Sequence, residues 1–303
     1  MDPGAGDRLR GWIETHSADF RPDLRSGLKS FGQVRAFGEL SMVLWALTGP
    51  RHRAAGSRYA AWAQDVAAQL WPDLEVVGEH LPWDDLPQHH LRDLLVMFPV
   101  LEEVTHRRSR FHDKVVEVLG GGFGTVPAED LKIAFARDTA GLGDCRPAVT
   151  RELAAELSAW PGTGAAAKSS WLYTITHMIF YATRFGAREV SWPAAFPAPL
   201  GCVLGSCAAA RLATRDYDIA AELLASIAWS GSGISAAFLT GVSALAAIAQ
   251  EQGSVPVRPP SADGAEPGSR SGPGFKDRYH ATIVTLAVLA EGELATGTRA
   301  QGS

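Results

Sequence analysis

Strand signals are the first thing missing from this 303-residue sequence. No stretch sustains an alternation of Val, Ile or Thr with polar residues, which excludes a sheet-based architecture and leaves an all-helical chain. Cysteine is scarce. Cys145, Cys202 and Cys207 are an odd number with no C-x-x-C spacing, so neither a disulfide framework nor a standard zinc finger is implied. Lysine accounts for 5 of the 28 basic residues, and the net charge of −5 with a pI of about 6.0 excludes a strongly basic nucleic-acid binder. Charged residues make up 20% and hydrophobic ones 46%, a balance that excludes a disordered chain and supplies a sizeable core. The longest apolar run, Ile234 to Ala249, is interrupted by Thr240 and Ser243. It falls short of the roughly 20 residues a bilayer span needs, so no membrane span is expected. Met1 to Asp19 has neither a basic nor an apolar leader region, so a cytoplasmic location without a secretory signal is the plain expectation.

Catalytic signatures are missing as well. The glycines around Gly120 lack the Lys-Ser/Thr of a phosphate-binding loop and follow a helical segment, which also rules out a dinucleotide fingerprint. There is no H-E-x-x-H, no G-x-S-x-G and no aspartate-rich box; Asp84-Asp85 is too short a fragment to count.

What is present is a succession of helical patterns. Leu24 to Leu47 carries Leu28, Phe31, Val34, Phe37, Leu40, Val43 and Leu44 at three-and-four spacing and stops at Gly49-Pro50. Further helices are predicted over Ala54–Trp71, Leu86–Leu119 (bent near Pro99), Pro127–Ala140, Pro147–Trp160, Lys168–Phe185, Leu200–Thr214, Tyr217–Trp229, Ile234–Gln250 and Asp277–Leu294. The Pro/Gly/Ser-rich stretch Gly253 to Gly274 has no periodicity and reads as a long loop inserted before a core helix. One helical domain over residues 1–303 is the expected organisation. Lys168–Phe185, Leu200–Leu212 and Ile234–Ala249 are apolar nearly all round, as the inner helices of a ring of helical hairpins are. This points to an α/α toroid, complete or incomplete, with an irregular α-solenoid as the alternative.

Several side chains invite chemistry. Helical spacing places Tyr173, Phe180, Tyr181 and Arg184 on the face of His177. Desolvation among these rings favours a neutral imidazole able to act as a base or ligand, with a phenol of Tyr173 or Tyr181 as its partner. The alternative is a core histidine bonded to a nearby hydroxyl or carbonyl. His280 follows Asp277 by three residues at a helix start, where the carboxylate either orients the ring or serves as an N-cap. Asp138 lies near a helix end, where the dipole disfavours a carboxylate and a cationic partner such as Arg137 is called for. Asp216 and Asp218 could join His280 as hard metal ligands, or Asp216 could cap its helix. Glu102 and His106 have the i, i+4 spacing of helical metal sites but lie on an arginine-rich face. Cys202 and Cys207 read as inert buried thiols on opposite sides of a helix.

Asp277-Arg278-Tyr279-His280-Ala281-Thr282-Ile283 resembles the D-x-Y-H-T-x-Y segment of the α/α-toroid family of protein prenyltransferase β-subunits and terpenoid cyclases, and Gly121-Gly122-Phe123-Gly124 resembles that family's hairpin-opening turns. The resemblance implies a toroid and a zinc-ligand role for His280. The family's D-x-C ligands are matched in place by Asp216-Tyr217-Asp218, without the cysteine. Thr176 to Gly186 is similar to a T-H-x-x-F-Y-x-T-x-F-G segment of bacterial all-helical proteins from specialised-metabolite clusters.

The functional expectation is an enzyme of specialised metabolism with an aromatic-lined pocket. Its chemistry is acid/base-assisted cyclisation, elimination or isomerisation of an apolar small molecule or peptide, without a cofactor. His177, His280, Tyr173, Tyr181, Asp277 and Asp138 are its candidate catalytic residues. The alternatives are a zinc- or other divalent-metal-dependent transferase or cyclase using Asp216, Asp218 and His280, and a non-catalytic helical scaffold for a peptide or protein.

Overall fold

The computed structural model describes residues 4–22, 31–83, 95–121, 131–160, 162–192, 200–258 and 274–301. Among them there are fourteen α-helices and no strand, and no helix is long and apolar enough to cross a membrane. The helices are α1 (Gly4–Thr15), α2 (Ser17–Phe20), α3 (Phe31–Leu47), α4 (Pro50–Ala54), α5 (Arg58–His80), α6 (Met97–Thr105), α7 (His112–Gly121), α8 (Leu131–Thr139), α9 (Arg146–Ser158), α10 (Ser169–Thr183), α11 (Leu200–Ala213), α12 (Tyr217–Trp229), α13 (Ala236–Gln252) and α14 (Tyr279–Gln301). The expected helix starts at Leu24, Leu86 and Pro127, the glycine turn beyond Gly121, Asp84-Asp85 and most of the Gly253–Gly274 stretch lie outside the described residues.

The chain divides into two compact units. Unit 1 comprises Met1–Ser17, Ala154–Ile179 and Ser191–Ser303; unit 2 comprises Ala18–Leu153 and Phe180–Val190. Helices α9 and α10 each run from one unit into the other.

In unit 1, α12 packs on α11, α13 and α14, while α1 packs on α13 and α14. Every residue of α12 from Asp218 to Trp229 is buried, and α14 is buried from Ala281 to Glu291. Over these stretches both helices are enclosed on all sides. The sequence pattern had pointed instead to α10, α11 and α13, in which Thr174, Cys202, Thr240 and several alanines are exposed. Small side chains blur the pattern, since an Ala-rich face is apolar by composition whether it meets protein or water. Close approach explains two glycines. A Cβ on Gly164 would stand 2.3 Å from the Ser206 carbonyl oxygen, and one on Gly241 would stand 2.7 Å from Leu224 Cδ2. The first residues of the expected loop are part of the core. Gly253 ends α13 in the left-handed conformation at φ 73°, and the buried Val255 exchanges hydrogen bonds with Thr282 Oγ1.

In unit 2, α3 packs on α5 and α6, and α5 on α6. Trp45 meets Phe135 and Phe185, and Phe135 stacks on Tyr181 with centroids 4.6 Å apart. Two expectations change here. Pro72 lies inside α5, which continues to His80 instead of stopping at Trp71. The expected 86–119 helix, of which residues 86–94 lie outside the described residues, is interrupted at Val96, close to the bend expected near Pro99, and a second time at His106, whose φ of 54° caps α6. Glu102 holds the break: it accepts the Ser109 backbone N–H at 2.9 Å and pairs with His112 Nδ1 at 2.6 Å. His106 is therefore not the partner of Glu102.

Candidate functional site

The residues singled out for chemistry divide between the units. In unit 1, three helices bring six side chains together: Tyr173, Thr176 and His177 from α10, Asp218 and Glu222 from α12, and His280 from the first turn of α14. The i, i+3 and i+4 spacings on α10, and the i, i+4 spacing on α12, put each set on one helical face.

Asp218 is the hinge of the arrangement. It is buried, and its Oδ2 accepts the Tyr173 hydroxyl at 2.5 Å while its Oδ1 lies 2.6 Å from His280 Nδ1. An ionised carboxylate only accepts, so the imidazole proton sits on Nδ1 and the lone pair of the neutral ring falls on Nε2. Burial, followed by the neighbouring Asp218 charge, pushes the Tyr173 phenol far up, so it stays a neutral donor. Helix α12 then places Glu222 one turn further in. Its side chain is 1% exposed, with Oε2 2.5 Å from Thr176 Oγ1 and Oε1 3.7 Å from His280 Nε2. Burial pushes the Glu222 carboxyl up, against the pull of His177 and His280 and the hydroxyl of Thr176, while Asp218 adds to the rise.

His177 stands at the outer edge, its side chain 38% exposed. Nδ1 donates to the Tyr173 carbonyl at 2.7 Å and lies 3.9 Å from Glu222 Oε2. The expected phenol partner is thus replaced by the backbone of the same residue, and the Tyr173 phenol serves His280 through Asp218. Aromatic rings flank both histidines. Tyr173 meets His177 and Tyr279 meets His280 edge-on, each with centroids 6.2 Å apart, and Phe275 stacks on Tyr279 at 5.1 Å.

Asp277 does not orient His280. Its Oδ2 accepts the Gly274 backbone N–H at 3.1 Å and caps the short 3₁₀ turn Phe275–Asp277. Asp216 is also elsewhere, facing Arg258 at 3.3 Å and Arg211 at 3.6 Å. Asp216, Asp218 and His280 therefore do not form a ligand set. Among the described residues no group of three or more His, Cys, Asp and Glu is arranged to hold a metal ion.

Asp138 and Tyr181 belong to unit 2. Asp138 is buried, and its carboxylate accepts from Arg184 at 2.5 Å, Arg188 at 2.8 Å and the Cys145 thiol at 3.0 Å, with the Cys145 backbone N–H at 3.2 Å. The cationic partner needed at this helix end is thus supplied from beyond α10, not by Arg137. Burial alone would raise the Asp138 carboxyl; the hydrogen bonds of Arg188, Cys145 and Arg184 outweigh it and hold the carboxyl below the ordinary range. Arg184 and Phe185 both adopt left-handed backbone, φ 47° and 52°, followed by Gly186 at 81°. The arginine–phenylalanine–glycine end of the Thr176–Gly186 segment is the turn that carries Arg184 to Asp138. Tyr181 stacks on Phe135 and lines, with Met42, Met97 and Lys132, a small pocket in unit 2. Cys145 and Cys207 are buried, with thiols pushed up to about 12 chiefly by burial, whereas Cys202 is exposed.

Glu222 is the residue that sequence reasoning missed. Its signal was a lone carboxylate in the apolar run Ile219 to Trp229, one turn after Asp218.

No curated protein and no solved structure gives a significant match to the chain. One family model does, described as a domain of unknown function (DUF6895) and matching residues 6–290. With nearly the whole sequence covered, the protein belongs to the DUF6895 family.

Proposed function

We propose that the protein is an acid/base enzyme, with His177 and His280 as its proton-transfer groups. One observation carries the reading: two histidines distant in sequence approach opposite oxygens of a single buried glutamate, at 3.9 and 3.7 Å. Surface histidines that serve only solubility have no such common partner, and a buried carboxyl flanked by imidazoles is what tunes proton transfer near neutral pH. His177, at the exposed edge, is the group that meets substrate; its Nδ1–H is committed to the Tyr173 carbonyl, so Nε2 is the basic atom. The neighbouring Tyr173, Tyr279 and Phe275 suit an apolar small molecule or a peptide with an apolar side chain. Cyclisation, elimination or isomerisation in specialised metabolism is the reaction class, supported by the likeness of Thr176–Gly186 to proteins of metabolite clusters. The α/α-toroid architecture belongs to the same proposal, supported by the likeness around His280 and by its pairing with an aspartate 62 residues upstream.

The test uses exchange with solvent. The purified protein is incubated with a bacterial small-molecule extract in deuterated water and the products are followed by mass spectrometry. The wild type converts or deuterates at least one compound, and His177→Gln and His280→Gln do not, although both melt as the wild type does. A wild-type profile indistinguishable from that of the double variant sinks the reading.

A second reading has one observation in its favour. The bond from His177 Nδ1 to the carbonyl four residues earlier recurs at His16 with Trp12 and at His80 with Val76, where no carboxylate partner accompanies it among the described contacts. That bond is an ordinary helix contact, and on this reading the chain is a helical scaffold for a peptide or protein. The neighbouring Glu222 is what separates His177 from the other two.

A further inference from the structure

The hydrogen bonds around Glu222 leave one conflict. Its Oε2 is 2.5 Å from Thr176 Oγ1, but its Oε1 is buried without a hydrogen-bond partner and points at His280 Nε2 across 3.7 Å. Because His280 Nδ1–H is given to Asp218, the neutral ring turns a lone pair toward that oxygen. An ionised Glu222 would set a bare carboxylate oxygen against a lone pair in a place closed to water, a costly arrangement. A single proton in the gap removes the conflict, whether it is bonded to Oε1 and points at Nε2 or the reverse.

We propose that Glu222 Oε1 and His280 Nε2 share one proton, which rests on the glutamate while His177 is neutral and crosses to His280 when His177 takes up a proton. The inference rests on the acid/base reading of this site. His177 Nε2 accepts a proton from a C–H or O–H bond of the substrate, and the electron pair of that bond stays with the substrate. The new imidazolium, with Nδ1 3.9 Å from Glu222 Oε2, favours the carboxylate. The two side chains close the 3.7 Å gap to hydrogen-bond length, the O–H bond at Oε1 breaks and an N–H bond forms at His280 Nε2. The site ends as two imidazolium rings alternating with two carboxylates, in the order His177, Glu222, His280, Asp218. Among the described residues the titratable groups facing Glu222 are His177 of α10, His280 of α14 and Asp218 of α12, with the neutral Tyr173 behind Asp218. Burial favours the proton on Glu222 at rest. Glu222 acts through the two histidines without touching substrate, and is a positioning residue. The two histidines are thereby made to charge together, and a proton taken at the edge of the site readies a donor deeper within it.

Two spectroscopies on the full chain test this without any substrate. Nuclear magnetic resonance of ring-labelled histidines follows His177 and His280 across pH, and infrared spectroscopy follows the carbonyl stretch of an undissociated carboxylic acid. In the wild type both rings charge over a single pH interval, and the acid band disappears over the same interval. In Glu222→Gln the band is absent and the two rings charge at separate pH values. His177→Gln, which changes a half-exposed side chain and leaves the buried ones in place, keeps the acid band throughout that interval. Separate titration of the rings in the wild type, no acid band while both rings are neutral, or loss of the band in His177→Gln at the wild-type pH each overturns the proposal. Neither readout depends on turnover, so a failed deuterium experiment leaves this result standing, and the reverse also holds.

Discussion

Replacing Asp138 with asparagine removes one negative charge from a site built around it. The carboxylate is buried and accepts from two guanidinium groups, a thiol and a backbone N–H. The amide is nearly the same size, so no cavity opens, but its NH₂ must face donors. Arg184 and Arg188 are then left without their common anion. Breaking a buried pair by removing one partner costs about 3–5 kcal/mol. The side chains of Arg184 and Arg188 keep 27% and 20% of their surface exposed and can rehydrate in part, which favours the lower figure, about 3 kcal/mol. At about 2–4 °C per kcal/mol for a domain of this size, the melting temperature falls by roughly 6–12 °C. Thermal unfolding followed by near-ultraviolet circular dichroism measures this. Arg137→Ala, a change at an exposed neighbour that Asp138 does not use, is the control and moves stability by less than about 0.5 kcal/mol.

The pH dependence gives the charge argument a second check. The Asp138 carboxyl is held below its ordinary range in the folded chain, so the unfolded chain binds the proton more tightly. The stabilisation is therefore fully present above the ordinary carboxylate value and is lost as pH falls through the lower, folded one. The wild type weakens across that acid window, and Asp138→Asn weakens less because it has no such contribution to lose. If Asp138→Asn melts with Arg137→Ala and keeps the wild-type acid slope, the reasoning about this ion cluster is wrong.

Two glycines make a contrasting pair. Gly164→Ala drives a Cβ into the backbone of α11 and destabilises by at least about 1–3 kcal/mol, whereas Gly11→Ala, mid-helix in α1 with open space around it, stabilises by about 0.5–1 kcal/mol; denaturant melts of both check the signs. The thiols separate by accessibility. Iodoacetamide at neutral pH labels Cys202 in the folded protein and reaches Cys145 and Cys207 only after unfolding, because these two are buried with thiols near 12; mass mapping that finds Cys145 labelled in the native state contradicts this.

Helix content was legible in the sequence because periodicity and capping are local. The described part of the Leu24–Leu47 pattern, with Gly49-Pro50 after it, yields α3, and Ile234–Gln250 yields α13 to within two residues at either end. Enclosure was not legible. Asp218, Glu222 and Ser226 recur every four residues and look like the wet stripe of an amphipathic helix, yet all three are buried. A polar stripe satisfied by Tyr173, Thr176 and His280 is indistinguishable in sequence from one satisfied by water. The same limit explains the candidate site. His177 and His280 stood out as isolated residue types, but their common partner needed three helices in place before it meant anything. Asp138 shows the converse. Its need for a cation follows from the helix end, while the identity of that cation depends on the left-handed turn at Arg184 and Phe185.

The interleaved chain order of the two units has a consequence for synthesis. Unit 2 draws nearly all its residues from the stretch 18–153, so most of its partners are available early as the chain grows. Helix α1 leaves the ribosome before them, but α13 and α14, the helices it packs on, are made only after the whole of that stretch. Twelve residues are too few to hold a helix alone in water, so α1 waits without its packing partners while the neighbouring segment folds. Its docking closes a loop that spans everything from α1 to α13, a slow kind of contact that follows the folding of the stretch between.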